Sequence, residues 1–185
     1  RLQTLTEVGL WTPTRPDGDG PDPFSGRPTI ATYHSYAGSI VRDFGLRVGV
    51  EPTVRMLTEA ATWQLAYEAS LRFDGDVTDF PLGEAALTNA ALTLSGELAE
   101  HLVSLDDIDA YVRECARSLD ELPLAGRAKG LPPEFKEAVT ALRARCVAVE
   151  VARRYERLKR SRDALDFADQ MALAARLARE FPDIA

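Results

Sequence analysis

The sequence predicts a mostly α-helical fold: a helical bundle that carries one short β-strand. Apolar residues recur at three- and four-residue intervals through most of the 185 residues, and this is the spacing of one face of an α-helix. The β-branched run 29–33 predicts a short strand, and a lone strand is stable only within a sheet. We therefore expect the strand to belong to a neighbouring α/β subdomain.

The first part of the chain predicts a loop, the strand and a helix. Proline and glycine are dense in segment 11–28, which excludes regular structure there and predicts a surface loop. In the strand that follows, Tyr33 occupies an inward position and is predicted to be a core residue. The next helix should end at Gly45 or Gly49, and its apolar face comprises Tyr36, Ile40, Val41 and Phe44.

Capping residues set the limits of the middle helices. Thr58 is a predicted N-cap for a helix over 59–72, because a threonine hydroxyl can accept a hydrogen bond from the first turn. A further helix is predicted over 83–103. Ser104, with an acid three residues later, predicts the start of a helix over 105–122.

The last two helices follow a loop over 123–131. A pair of prolines predicts the start of a long helix that runs to about residue 160. Asp166 is the predicted N-cap of a final helix over 167–181, and Asp169 lies three residues further on. Together with Asp163 these acids could suggest a metal or acid/base cluster, but an acidic pair at a helix start is more typical of capping. We therefore predict no metal site.

The composition is that of one soluble domain without a membrane span. No stretch approaches the roughly 18 apolar residues that cross a bilayer, and no signal peptide precedes the first helix. Cys115 and Cys146 lie among apolar neighbours in helical patterns, which predicts reduced core thiols. These features predict a cytoplasmic protein with no membrane partner.

The charge is distributed unevenly. The net charge is −7, which argues against a dedicated nucleic-acid-binding domain, yet segment 143–162 holds eight basic residues against two acidic ones, a local +6. Such a stripe either faces a polyanion or pairs with acids elsewhere in the fold. If it faces a polyanion, the candidate phosphate contacts are Arg153, Arg154, Arg157 and Arg160.

Two short motifs stand far apart in the chain: TYHS at 32–35, followed by an amphipathic helix, and LDFAD at 165–169. In both motifs, in their order and in the helical segment between them, the chain resembles the UvrD/Rep/PcrA-type superfamily 1 ATP-dependent DNA helicases, in an actinobacterial-like form. The resemblance covers nearly the whole chain. It departs from the family at Gln170, where an apolar residue is usual, and in the length of loop 11–28.

The resemblance implies a division of the chain. Residues 1–49 would be part of the 1A motor subdomain, which is RecA-like and would contain the predicted strand. Residues 50–160 would be the helical 1B subdomain, and 161–185 would return to 1A just before the Walker B strand. The chain contains neither a G-x-x-x-x-G-K-[ST] loop nor a Walker B acidic pair, so catalytic residues, ATP and magnesium are expected only in the rest of the parent enzyme.

The resemblance also implies partners and contact residues. A parent enzyme would couple ATP hydrolysis to 3′-to-5′ movement on single-stranded DNA in repair or recombination, with a duplex junction, the other helicase subdomains and a second helicase–nuclease subunit among its partners. Thr32, His34 and Ser35 would line the track of the DNA strand. The alternative is that Thr32 and Ser35 only cap a helix while His34 satisfies a buried carbonyl.

The residues themselves also allow a different class of function. The chain could be a free-standing helical module that binds a protein partner and has no nucleic-acid role. The predicted strand at 29–33 argues against such a module, because a module that folds alone would leave the strand without a sheet.

Overall fold

The computed structural model describes residues 31–122 and 132–184. Within these residues the fold is mostly α, as predicted. Its six α-helices and two short strands are, in order, α1 (Tyr33–Phe44), β1 (Arg55–Met56), α2 (Glu59–Leu71), α3 (Glu84–His101), α4 (Leu105–Asp120), α5 (Pro133–Ser161), β2 (Ala164–Leu165) and α6 (Phe167–Glu180). A short 3-10 helix, Gly45–Val48, follows α1. The predicted loops 11–28 and 123–131 lie outside the described residues.

The helices pack around two apolar cores. The larger core lies between α2, α3 and the second half of α5, and its fully buried members include Ala66, Ala69, Ala91, Val151, Ala152 and Tyr155. The smaller core joins α1 to α6 through Ala37, Val41 and Ala174. Helix α3 contacts both α5 and α6 and so links the two cores. The predicted subdomain boundaries at 49/50 and 160/161 separate these two groups of helices and stay a prediction.

A two-stranded parallel sheet closes the larger helical group. Arg55 pairs with Ala164 and Met56 pairs with Leu165. The backbone N–H of Arg55 donates to the carbonyl of Asp163 at 2.8 Å, and the N–H of Leu57 donates to the carbonyl of Leu165 at 2.8 Å. The partner strand β2 is not predicted from the sequence. The chain therefore enters and leaves the segment of helices α2–α5 at the same place, the β1–β2 pair.

The strand predicted over 29–33 is wrong at each of its described residues, 31–33, none of which is in a strand. Helix α1 begins at Tyr33, and Thr32 is its N-cap in an extended conformation. Tyr33 is 83% exposed, so its prediction as a core residue is also wrong. The cause is local, because the Thr32 hydroxyl caps the helix and places Tyr33 in the first turn, on the solvent side. Residues 29 and 30 lie outside the described residues.

The other capping residues occupy the positions predicted for them. Thr58 accepts a hydrogen bond from the N–H of Ala61 at 3.3 Å, and Ser104 accepts one from the N–H of Asp107 at 3.1 Å. At the start of α6 the exchange is reciprocal. Asp166 accepts from the N–H of Asp169 at 2.9 Å, and Asp169 accepts from the N–H of Asp166 at 2.9 Å, which completes a capping box.

Candidate nucleic-acid interface

The N-terminus of α1 presents three polar side chains to solvent. Thr32, His34 and Ser35 are all exposed among the described residues. The Thr32 hydroxyl accepts a hydrogen bond from the Ser35 N–H at 3.3 Å and donates one to the Ser35 Oγ at 2.9 Å. The first N–H groups of a helix lack intrahelical acceptors, and the helix dipole adds positive character at this end. The site therefore offers hydroxyl, imidazole and backbone donors to an anion.

His34 also brings the two sequence motifs together. Its ring meets the ring of Phe167 edge to face, with centroids 5.5 Å apart and an interplanar angle of 87°. The Gln170 side-chain amide donates to the backbone carbonyl of His34 at 2.7 Å. Because the imidazole itself is exposed, the alternative in which the His34 side chain satisfies a buried carbonyl does not hold within the described residues.

Gln170 has a clear role in this contact. It is 7% exposed, and its amide lies close over α1. A Cβ atom at Gly38 would stand 2.3 Å from the Gln170 Nε2, so only glycine at this position allows the approach. The polar residue at position 170 is thus explained by a part-buried hydrogen bond to α1.

The four candidate arginines of the basic stripe divide into two pairs. Arg153 forms a short ion pair with Asp106 and lies 3.6 Å from Asp109, and Arg154 lies 3.7 Å from Asp74. Arg157 and Arg160 are exposed, and no carboxylate of the described residues is within ion-pair distance of either. Intramolecular pairing therefore accounts for the first pair and leaves the second open to a ligand.

A buried ion cluster near these arginines was not anticipated from the sequence. Lys159 is 2% exposed, and its Nζ lies 2.6 Å from Asp169 Oδ2, 2.8 Å from Glu156 Oε1 and 2.9 Å from Asp166 Oδ2. The hydroxyl of Tyr155 donates to the same Asp166 oxygen at 2.7 Å. The missed signal was the helical spacing of Lys159 from the apolar positions of α5, which places it on the inward face.

Burial and charge act in opposition within this cluster. Burial alone would lower the pKa of Lys159, but the three surrounding carboxylates outweigh it and hold that pKa above its ordinary value. Burial raises the pKa of Asp169 to about 6, although Lys159 opposes the rise. For Asp166 the attraction of Lys159 and several hydrogen bonds overcome burial and lower the pKa. Lys159 therefore stays charged at neutral pH, while Asp169 takes up a proton in mildly acidic solution.

The raised pKa of Asp169 has a measurable effect on stability. The folded chain binds this proton more tightly than the unfolded chain, so the contribution of Asp169 is full at low pH and is lost as the pH rises through about 6. Between about pH 7 and about pH 5, the wild-type free energy of unfolding should rise by about 1 kcal/mol relative to that of the Asp169→Asn variant. Urea denaturation across this range measures the difference.

Asp183→Asn serves as the control for that measurement. The Arg47 guanidinium holds the pKa of Asp183 below its ordinary value, so this carboxylate does not titrate between about pH 5 and about pH 7. Its removal should leave the pH dependence of stability in that window unchanged. Parallel pH profiles for wild type and Asp169→Asn would contradict the titration assigned to Asp169.

The described residues offer little to a metal ion. They contain no group of three or more histidine, cysteine or carboxylate side chains placed to hold one. Cys115 and Cys146 are free thiols and half-buried. Among residues 31–122 and 132–184, every helix is too short or too polar to cross a membrane.

The comparisons with known proteins assign neither a family nor a function to this chain. Protein-family models and curated proteins give no match to this chain. The functional interpretation therefore rests on the residues themselves: the two motifs that meet at His34, the exposed pair Arg157 and Arg160, and the buried cluster around Lys159.

Proposed function

We propose that this chain is the DNA-binding middle segment of an ATP-dependent 3′-to-5′ DNA helicase of the UvrD/Rep type, a cytoplasmic enzyme of DNA repair or recombination. The observation that carries the proposal is the contact between the two motifs. Residues 34 and 167 lie more than a hundred positions apart, yet their rings touch at the exposed N-terminus of α1. ATP and magnesium would bind to other parts of the parent enzyme.

The chemistry at this N-terminus suits a phosphodiester. The Thr32 and Ser35 hydroxyls, the His34 imidazole and the first N–H groups of α1 all lie within one helical turn, where a phosphate oxygen can accept several hydrogen bonds at once. The contact of His34 with Phe167 fixes the ring against α6. Contacts of this kind position a strand without reading its bases, as a translocating enzyme requires.

The proposal is tested in the complete protein that contains these residues. Single-stranded DNA should stimulate ATP hydrolysis, and a duplex with a 3′ overhang should be unwound in preference to one with a 5′ overhang. In the Arg157→Glu/Arg160→Glu variant, the DNA concentration that gives half-maximal stimulation should increase at least about tenfold, because two phosphate contacts are replaced by repulsion. ATP hydrolysis without DNA should be unchanged.

The control carries the same charge reversal at a different place. Arg117 pairs with Glu114 and Glu121 on α4, and Arg145 is exposed in the first half of α5. Arg117→Glu/Arg145→Glu should leave DNA stimulation near the wild-type value. A wild-type protein whose ATPase ignores DNA would rule out the helicase proposal, and equal effects of the two double variants would show that only net charge matters.

A further inference from the structure

Two adjoining cavities form one groove along the junction of α5 and α6. One cavity, of about 650 Å³, lies between the C-terminal end of α3 and the second half of α5, and the other, of about 550 Å³, lies between α5 and α6. Leu102, Arg160, Ala172 and Arg176 line both cavities, so the two are continuous. We refer to this surface as the arginine groove.

The arginine groove is positively charged on a chain whose net charge is −7. Its lining holds six basic residues against three acidic ones, a local +3: Arg153, Arg157, Lys159, Arg160, Arg176 and Arg179 against Asp106, Glu156 and Asp169. The acids are already engaged, one by Arg153 and two by Lys159. Of the remaining arginines, Arg157, Arg160 and Arg179 have no carboxylate of the described residues within ion-pair distance.

Four of these arginines line the groove as two pairs, one pair from each helix. Arg157 and Arg160 stand three residues apart on α5, and Arg176 and Arg179 stand three residues apart on α6, a spacing that puts each pair on one side of its helix. Only Arg176 of the four has a carboxylate partner among the described residues, Glu180 of the same helix at 2.8 Å. The lining that the two cavities share also includes Ala172 and the two acids engaged by Lys159, Glu156 and Asp169.

The lining also indicates what part of a ligand would be recognised. No aromatic side chain lines either cavity among the described residues, so the groove has no platform on which a base could stack. The planar guanidinium group of arginine can donate two parallel hydrogen bonds to phosphate oxygens. The surface therefore suits the phosphates of a nucleic-acid strand and not its bases.

The groove also adjoins the N-terminus of α1. A third cavity, of about 590 Å³, is lined by His34 and Phe167 and shares Ala99, Leu102 and Ala172 with the first groove cavity. A chain that contacts His34 can thus continue across Ala172 to the arginines. This continuity favours an extended polyanion over a small separate anion.

We propose that the arginine groove binds the sugar–phosphate backbone of a single nucleic-acid strand, with Arg176 and Arg179 of α6 completing a site that Arg157 and Arg160 begin. The proposal rests on the proposed function and adds to it a path for the strand and two arginines that no sequence motif marks. The buried cluster supports the path, because Lys159 of α5 binds Asp166, the N-cap of α6, and Asp169 in its first turn, and so joins the two helices that carry the arginines.

The test is an equilibrium titration of the complete protein with fluorescent oligo(dT) at several salt concentrations. Arg176→Gln/Arg179→Gln should weaken binding roughly tenfold and reduce the slope of log affinity against log salt by about 1.4, since each lost phosphate contact removes about 0.7 for a single strand. Glutamine avoids a new acid beside Glu156 and Asp169. Oligo(dC) should bind as oligo(dT) does, because the groove does not read bases.

The control is Arg117→Gln/Arg145→Gln, which removes the same charge outside the groove and should leave affinity and slope unchanged. If the Arg176/Arg179 variant keeps the wild-type slope while Arg157→Gln/Arg160→Gln loses it, the proposed function stands and the groove path is wrong. A slope reduced equally by the control variant would also overturn the groove. If the wild-type protein binds neither oligonucleotide, both proposals fail together.

Discussion

Replacing Lys159 by methionine is expected to lower the free energy of unfolding by about 3 to 5 kcal/mol, the range for breaking a buried ion pair by removing one partner. Methionine fills a similar volume but leaves the buried Asp166 and the half-buried Asp169 and Glu156 without the ammonium group that they surround. Urea denaturation at neutral pH, followed by circular dichroism, measures the loss. At a lower pH the loss should shrink, because Asp169 then becomes neutral.

Lys136→Met is the matched control, since Lys136 lies on the same helix and is exposed. Surface substitutions of this kind usually change stability by less than about 0.5 kcal/mol. A loss for Lys159→Met as small as that for Lys136→Met would mean that the cluster is hydrated in solution and does not join α5 to α6.

Replacing Thr32 by aspartate is expected to weaken single-stranded DNA binding by the complete protein roughly ten- to hundredfold, which corresponds to about 1.5 to 3 kcal/mol for a lost hydrogen bond to a charged group. Aspartate caps a helix at least as well as threonine does, so α1 should keep its stability. Its negative charge, however, would stand where the phosphate is proposed to bind. A DNA titration and a melting curve on the same sample separate the two effects.

Thr58→Asp provides the same change at an equivalent position. Thr58 is also an N-cap whose hydroxyl accepts a hydrogen bond at 3.3 Å, but it begins α2 and has no proposed contact with DNA. This variant should bind DNA normally. If Thr32→Asp also binds normally, Thr32 is a capping residue and nothing more, and the track of the strand must avoid the start of α1.

The parts of the fold that depend on local chemistry were predictable. Helix starts at Thr58, Ser104 and Asp166 are set by hydrogen bonds within one turn, so the signal and the structure occupy the same few residues. The same local chemistry explains why the strand predicted up to residue 33 was wrong there. The capping hydrogen bond of Thr32 begins α1 at Tyr33 and outweighs the β-branched character of the preceding run. The limits of α5 and α6 follow for similar reasons.

The parts that depend on distant contacts were not predictable. Strand β2 is two residues long and exists only because β1, more than a hundred residues earlier, lies beside it. The burial of Lys159 requires acids from two elements, and the role of Gln170 requires a glycine on α1. In the candidate site, the sequence does not distinguish the exposed Arg157 from the paired Arg153. The acid that pairs with Arg153 is Asp106, which comes from another helix.

The parallel pairing of β1 with β2 makes residues 57 to 163 a detour that begins and ends at the same point. The ends of this detour are neighbours, and the apolar core that joins α1 to α6 is made of residues that lie outside it. The helices beyond the sheet can therefore present exposed surfaces of their own, while α3 and Lys159 join them to the helix that carries Phe167.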